Sequence, residues 1–136
     1  MDLNVAVVDD VASDRGRLAT DIRTFFAKQS GWNVSIREFD SAEALLETFE
    51  AGAYQLVLLD IQMGGMNGVE LARRLRYDDR HLLIVFTTTS REYAFDAFPV
   101  HPFDYLVKPY DPERLERMLS EVVRVLATEE ATIEVR

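Results

Sequence analysis

The residues in this chain with the most chemical potential sit immediately after short apolar runs. Asp9 and Asp10 follow Val5-Ala6-Val7-Val8, and Asp60 follows Leu56-Val57-Leu58-Leu59. Thr87-Thr88-Thr89 follow Leu82-Leu83-Ile84-Val85-Phe86, and Lys108 follows Tyr105-Leu106-Val107. Carboxylates brought together repel: at an effective dielectric near 20, two unit charges ~4 Å apart cost about 4 kcal/mol. A hard divalent cation relieves this, and Mg²⁺ typically takes one or two carboxylates with waters and phosphate oxygens. Such an ion lets an anionic phosphate approach an anionic nucleophile. A lysine and a hydroxyl can hold the remaining phosphoryl oxygens. The set therefore suits phosphoryl transfer onto Asp60. Each member alone has a plainer explanation as a strand end or a solvated turn. Their occurrence together, after four successive apolar runs, carries the argument.

Those runs must be strands that end on one side. A short, continuous Leu/Val run reads as a strand buried on both faces, as in parallel sheets. Between the runs the apolar spacing is helical. Leu18, Ile22, Phe25 and Phe26 place a helix over roughly Ser13 to Gln29, with Gly31 as its stop. Val34 to Phe39 alternates like a strand, and Asp40 with Glu43 forms a capping box for a helix facing inward through Ala42, Leu45, Leu46 and Phe49. Gly52 ends that helix. Asn67 and Glu70 open a helix through Val69, Leu71, Ala72 and Leu75, and Ser90 caps one reaching about Phe98. Asp111-Pro112 starts the last helix, with Leu115, Met118, Leu119, Val122 and Leu126 on its buried face. Five strands alternating with five helices mean α/β architecture, a parallel sheet and right-handed crossovers. In such a sheet the carboxyl ends of the strands share one edge, where ligands bind. Beyond it, Glu129-Glu130 breaks the helical pattern and Thr132-Ile133-Glu134-Val135 alternates like a new strand. Residues 1–127 thus read as one domain, and 128–136 as a linker or the start of an output domain.

Composition narrows the class. The chain has 136 residues, 48% hydrophobic and 29% charged, as expected of one globular domain. Without cysteine there is no disulfide, thiolate nucleophile or cysteine zinc site. His81 and His101 are too far apart to suggest a metal cluster and receive no role. A formal net charge of −9 repels nucleic acid phosphates. No apolar run approaches the ~20 residues that span a bilayer, and Met1-Asp2-Leu3-Asn4 lacks the basic opening of a signal peptide. The expectation is a cytoplasmic protein without membrane contact.

The motifs Val7-Val8-Asp9-Asp10, Leu59-Asp60-Ile61-Gln62-Met63, Met66-Asn67-Gly68, Thr88 and Lys108-Pro109 resemble the receiver domain of two-component response regulators, over roughly Leu3 to Ala127. The resemblance implies a flavodoxin-like (βα)5 three-layer sandwich with strand order 2-1-3-4-5, an order for which a chemotaxis receiver is a standard example. It implies that Asp60 is the phosphoacceptor, that Asp10 binds Mg²⁺ directly and Asp9 through water, and that the Gln62 carbonyl also contacts the metal. Thr88 becomes the switch hydroxyl, Lys108 the phosphate-pairing lysine and Tyr105 the aromatic that changes rotamer. A histidine kinase is the implied partner, and helix 4, strand 5 and helix 5 the implied dimer face. Such a domain catalyses only its own phosphorylation and dephosphorylation.

Phe86-Thr87-Thr88-Thr89-Ser90-Arg91-Glu92-Tyr93-Ala94, Phe98-Pro99-Val100 and Asp104-Tyr105-Leu106-Val107-Lys108-Pro109-Tyr110 resemble, more narrowly, receivers joined to LytTR-type DNA-binding domains of the LytR/AlgR subfamily. DNA would then be met only through an output domain outside this chain. Two positions depart from the family pattern. Gly64 stands where proline is common, so the loop after Asp60 is expected to be more mobile. Thr89 stands where a small residue is usual, and its side chain could narrow access to the phosphoryl group. The alternatives are a haloacid-dehalogenase-like phosphatase, a flavodoxin-like cofactor binder and a stand-alone receiver acting by protein contact. The phosphatase class has Asp-x-Asp at its nucleophile, whereas Gln62 stands two residues after Asp60. A cofactor binder would need a phosphate-cradling loop after the first strand, and none is present.

Overall fold

The computed structural model describes residues 1–135; the side chains of Phe95, Phe98 and residues 130–135 lie outside that description. Five strands form one parallel sheet: β1 (Asp2–Val8), β2 (Asn33–Phe39), β3 (Leu56–Asp60), β4 (Leu83–Thr88) and β5 (Asp104–Val107). Their order is β2-β1-β3-β4-β5. The intervening helices are α1 (Ala12–Ala27), α2 (Ala42–Thr48), α3 (Gly68–Asp78), α4 (Ala94–Ala97) and α5 (Pro112–Val135), with a 3-10 turn at Phe98–Val100. This is the expected flavodoxin-like sandwich.

Strand alternation sorts the core into two layers. Leu3, Val5, Val7, Leu56, Leu58, Val85 and Leu106 pack with Leu18, Ile22 and Phe26 of α1 and Leu115, Met118, Leu119 and Val122 of α5. Ala6, Val8, Val57, Leu59, Ile84 and Phe86 meet Ala42 and Leu45 of α2 and Val69, Leu71, Ala72 and Leu75 of α3 on the other side. Every residue of β3 is buried, as its unbroken apolar run requires. The same alternation decides which strand-end residues lie together. Asp9, Asp60, Thr87 and Lys108 continue the rows of Val7, Leu58, Val85 and Leu106, whereas Thr88 continues that of Phe86.

Four local expectations are corrected. The cap of α2 is Ser41, not Asp40: Ser41 is extended and its hydroxyl accepts from the Ala44 N–H at 3.0 Å. Asp40 comes one residue too early, and Glu43 instead accepts from the Met66 N–H at 3.2 Å. That helix also stops at Thr48, before Gly52. Ser90 does not open a long helix, because its hydroxyl accepts from Glu92 N–H in a local turn and α4 spans only four residues. Finally, α5 runs on to Val135 instead of giving way to a strand. No glycine or proline interrupts it after Pro112, glutamate and alanine favour helix, and four alternating residues are too few to prevail. The alternation of the Thr132–Val135 side chains lies outside the described residues.

Away from the carboxyl edge, one arginine ties several segments together. Arg76 of α3 donates through Nε to the Val100 carbonyl at 2.8 Å and through Nη1 to those of Asp79, Arg80 and Leu82 at 3.3, 3.0 and 2.6 Å. Its Nη2 donates to the His101 carbonyl at 3.4 Å, where the backbone has a φ of 53°. The end of α3, the start of β4 and the turn before β5 are thereby joined. Among the described residues no helix is long and apolar enough to cross a membrane.

Candidate functional site

The carboxyl edge brings the expected residues together. β1 ends at Val8, leaving Asp9 buried beside the central strand and Asp10 exposed. The Asp9 carboxylate is fixed at both oxygens: Oδ1 accepts from Val11 N–H at 2.9 Å and Oδ2 from Lys108 Nζ at 2.8 Å. Asp60, the last residue of β3, sits in register with Thr87 of β4. Its Oδ1 accepts from Gln62 N–H at 3.2 Å, and its Oδ2 lies 3.4 Å from Lys108 Nζ. Lys108 reaches the edge from the end of β5, where its N–H donates to the Thr88 carbonyl at 2.6 Å. Its peptide bond to Pro109 is cis.

Burial and charge oppose one another here. Burial raises the Asp60 pKa above the usual carboxylate value; the Lys108 charge works against that rise, and the Asp9 charge adds to it. Burial alone would lower the Lys108 pKa, but its hydrogen bond to Asp9, the charges of Asp60 and Asp9 and its bond to Asp14 hold it well above the ordinary lysine value. Lys108 is therefore a permanent cation at neutral pH. Close by, burial pushes the Tyr110 phenol up to about 12, with Asp21 adding to the rise.

One ammonium does not balance the carboxylates around it. Asp9, Asp10 and Asp60 each offer an oxygen, and these oxygens lie within 4.8 Å of one another. An all-oxygen donor set of this kind fits a hard divalent cation such as Mg²⁺.

The loop after Asp60 is built around the same carboxylates. Gly64 N–H donates to Asp10 Oδ2 at 3.1 Å, a bond that proline at this position could not make. Glu43 lies against Gly65, whose φ is 80°, while holding Met66 N–H. Asn67 caps α3 by accepting from Glu70 N–H at 2.9 Å, as its sequence suggests. Gly68 then passes so close to β3 that a Cβ would stand 2.3 Å from the Asp60 carbonyl oxygen.

The other half of the edge carries Thr88 and Tyr105. Thr88 is fully buried, and its Oγ1 accepts from Ser90 N–H at 3.3 Å. Tyr105 packs on Phe86 at a centroid distance of 6.1 Å and donates its hydroxyl to the Ser90 carbonyl at 2.9 Å. Thr89 reaches across the site, donating to Gln62 Oε1 at 2.9 Å. Sequence reasoning missed Asp14, whose Oδ2 lies 3.2 Å from Lys108 Nζ. The available signal was its place in the first turn of α1, four residues after Asp10 and next to the same edge.

Comparison with known proteins decides the family. The chain matches the response regulator receiver domain over residues 5–120. It belongs to that family. It is 32% identical over 123 residues to the sensory transduction protein LytT of Bacillus subtilis, covering 90% of this chain and 49% of LytT. This receiver spans about half the length of the curated relatives it matches, and LytT and LytR regulators recur among them, in keeping with the LytTR-type resemblance. The response regulatory domain of mrkE from Klebsiella pneumoniae superimposes with a TM-score of 0.81 at 27% identity, covering 93% of this chain and 99% of that one. TrrA from Thermotoga maritima, solved in complex with Mg²⁺ and beryllofluoride, superimposes at 0.72 with 26% identity, covering 88% and 97%.

Proposed function

We propose that this receiver is a phosphorylation-controlled switch in which Asp60 takes a phosphoryl group from the phosphohistidine of a partner kinase. The observation that supports it most is the placement of Lys108 Nζ between Asp9 and Asp60, at 2.8 and 3.4 Å, beside three carboxylates able to share one cation. In the transfer, an Asp60 carboxylate oxygen forms the new O–P bond as the N–P bond breaks, and the departing imidazole recovers its electron pair. Asp10, Asp60 and the Gln62 carbonyl would hold Mg²⁺ directly and Asp9 through water. The ion's contribution when bound is to neutralise charge between carboxylate and phosphate. Lys108 pairs with a phosphoryl oxygen, and the Thr88 hydroxyl donates to another.

The signal leaves through the β4–β5 half. Thr88 opens the segment leading to α4, and Tyr105 is fastened to that segment at Ser90. A phosphoryl group that draws the Thr88 hydroxyl inward favours one arrangement of both, by differential contacts alone. The α4–β5–α5 face is then the surface for a second copy or for the output domain. The side chains of Phe95 and Phe98, in the segment that would contribute to this face, lie outside the described residues. Given LytT-like relatives about twice its length, the output is a DNA-binding transcriptional regulator joined beyond α5, working in the cytoplasm. The domain's only catalysis is its own phosphorylation and dephosphorylation.

Incubation with a small phosphodonor and Mg²⁺, read by intact mass, tests this directly. One added phosphate is expected on the wild-type chain and none on Asp60→Asn; phosphate persisting in that variant overturns the assignment.

A further inference from the structure

Lys108 meets one carboxylate that phosphoryl transfer does not require. Asp14 approaches its ammonium at 3.2 Å, nearer than Asp60 at 3.4 Å, yet Asp14 is not among the carboxylates grouped to share a cation. The partners of Lys108 therefore differ in what happens when the site is loaded. A divalent ion draws on Asp9 and Asp60, whereas Asp14 keeps its whole negative charge for the lysine. Asp14 also sits in the first turn of α1, where the amino end of a sixteen-residue helix stabilises negative charge.

Asp14 is not needed to keep the lysine ordered. The Lys108 side chain is only 15% exposed, and its Nζ already has a closer bond to Asp9, itself almost fully buried. Asp14 is 46% exposed, so it can turn to water without leaving a buried charge unpaired.

We propose that Asp14 is a competing counter-ion, a positioning residue that draws the Lys108 ammonium toward α1 and so weakens the hold of the site on an anionic phosphoryl group. The inference rests on the reading of Asp60 as phosphoacceptor. It makes the ease of phosphorylation a property tuned from α1, outside the residues that touch phosphate or metal. A neutral residue at position 14 frees the lysine and removes a negative charge from the neighbourhood of the incoming anion, so both effects act in one direction.

The test is titration of the full chain with beryllofluoride in saturating Mg²⁺, at low and high salt, following bound fluoride by NMR. Asp14→Asn should bind about fivefold tighter than wild type at low salt, the upper range for an exposed ion pair. The gain should shrink at high salt, because a partly exposed charge is screened. Asp14→Glu should stay within about twofold of wild type. Asp21→Asn, one charge fewer on the same helix but with no contact to Lys108, should gain much less. Equal or weaker binding by Asp14→Asn, a gain unaffected by salt, or an equal gain in Asp21→Asn each overturns the competition. A wild-type chain that binds no beryllofluoride overturns instead the reading of Asp60 on which this rests.

Discussion

The two halves of the carboxyl edge are built differently. On the β1–β3 side, Asp9 and Asp60 are buried, each carboxylate bonded at both oxygens. The loop that follows is pinned by Gly64 to Asp10, by Met66 to Glu43 and by the close passage of Gly68 beneath Asp60. On the β4–β5 side, the chain beyond Thr88 makes a four-residue helix and a 3-10 turn. Single bonds tie it to the site: Ser90 to Thr88, Ser90 to Tyr105 and Thr89 to Gln62. A neutral hydrogen bond contributes about 1 kcal/mol net, so a few of them can be exchanged for new ones on ligand binding. Phosphoryl transfer needs atoms held still, and signalling needs a segment whose ties can be remade. The edge supplies one on each side.

If that division is right, substitutions on the fixed side should abolish chemistry or change stability strongly, and those on the other should leave the chemistry intact at a small cost in stability. The largest effect is expected of Asp60→Asn, which should remove phosphate uptake altogether, as intact mass will read. It should also raise the melting temperature at neutral pH. The folded-state pKa of Asp60 is raised from 3.8, so its favourable contribution is complete below the unfolded value and is lost as pH rises through the folded one. The thermal advantage of Asn should thus vanish below the ordinary carboxylate range and grow above it. Melting curves across pH that show no such divergence break the electrostatic account.

Gly68→Ala comes next. A Cβ 2.3 Å from a backbone oxygen forces the α3 start off β3, an overpacking cost of about 3 kcal/mol, seen as a melting temperature lower by roughly 10 °C. Mg²⁺ should act in the opposite sense and slightly less strongly. At about 100 times its dissociation constant it adds about 2.7 kcal/mol, and Asp10→Ala should lose most of that gain in thermal titrations. Smallest is Tyr105→Phe, which deletes the hydroxyl bond to Ser90 at a cost of about 1 kcal/mol and should leave phosphate uptake within about twofold. Uptake that collapses in this variant would show that the two halves are not separable.

The strand ends on both sides were the most legible part. Unbroken apolar runs declare buried strands, so the order of elements, the edge and the residues Asp9, Asp10, Asp60 and Lys108 follow from spacing. What escaped notice depends on distance in the chain or on choices between neighbours. Ser41 and Asp40 are equally good capping types, and only the entry angle of the chain selects Ser41. Ser90 signals a helix start, but its hydroxyl is spent on a turn and its carbonyl on Tyr105. Asp14 carries no motif, because its meaning lies in a lysine 94 residues away. Gly64 signals backbone freedom, but nothing in the sequence signals that its N–H reaches Asp10. The end of α5 misled because a short alternation competes poorly with a helix already propagating.

Arg76 has a consequence for how freely this protein can diverge. All of its described bonds go to main-chain carbonyls, of Asp79, Arg80, Leu82, Val100 and His101. Every amino acid carries that carbonyl, so an exchange at exposed Arg80 leaves the Arg76 bond in place, whereas Leu82 and Val100 are fixed by burial and the Asp79 carboxylate by the N–H groups of Gly52, His81 and Leu82. One guanidinium thus holds three segments together without prescribing the residue type at the exposed positions it bonds, Arg80 and His101.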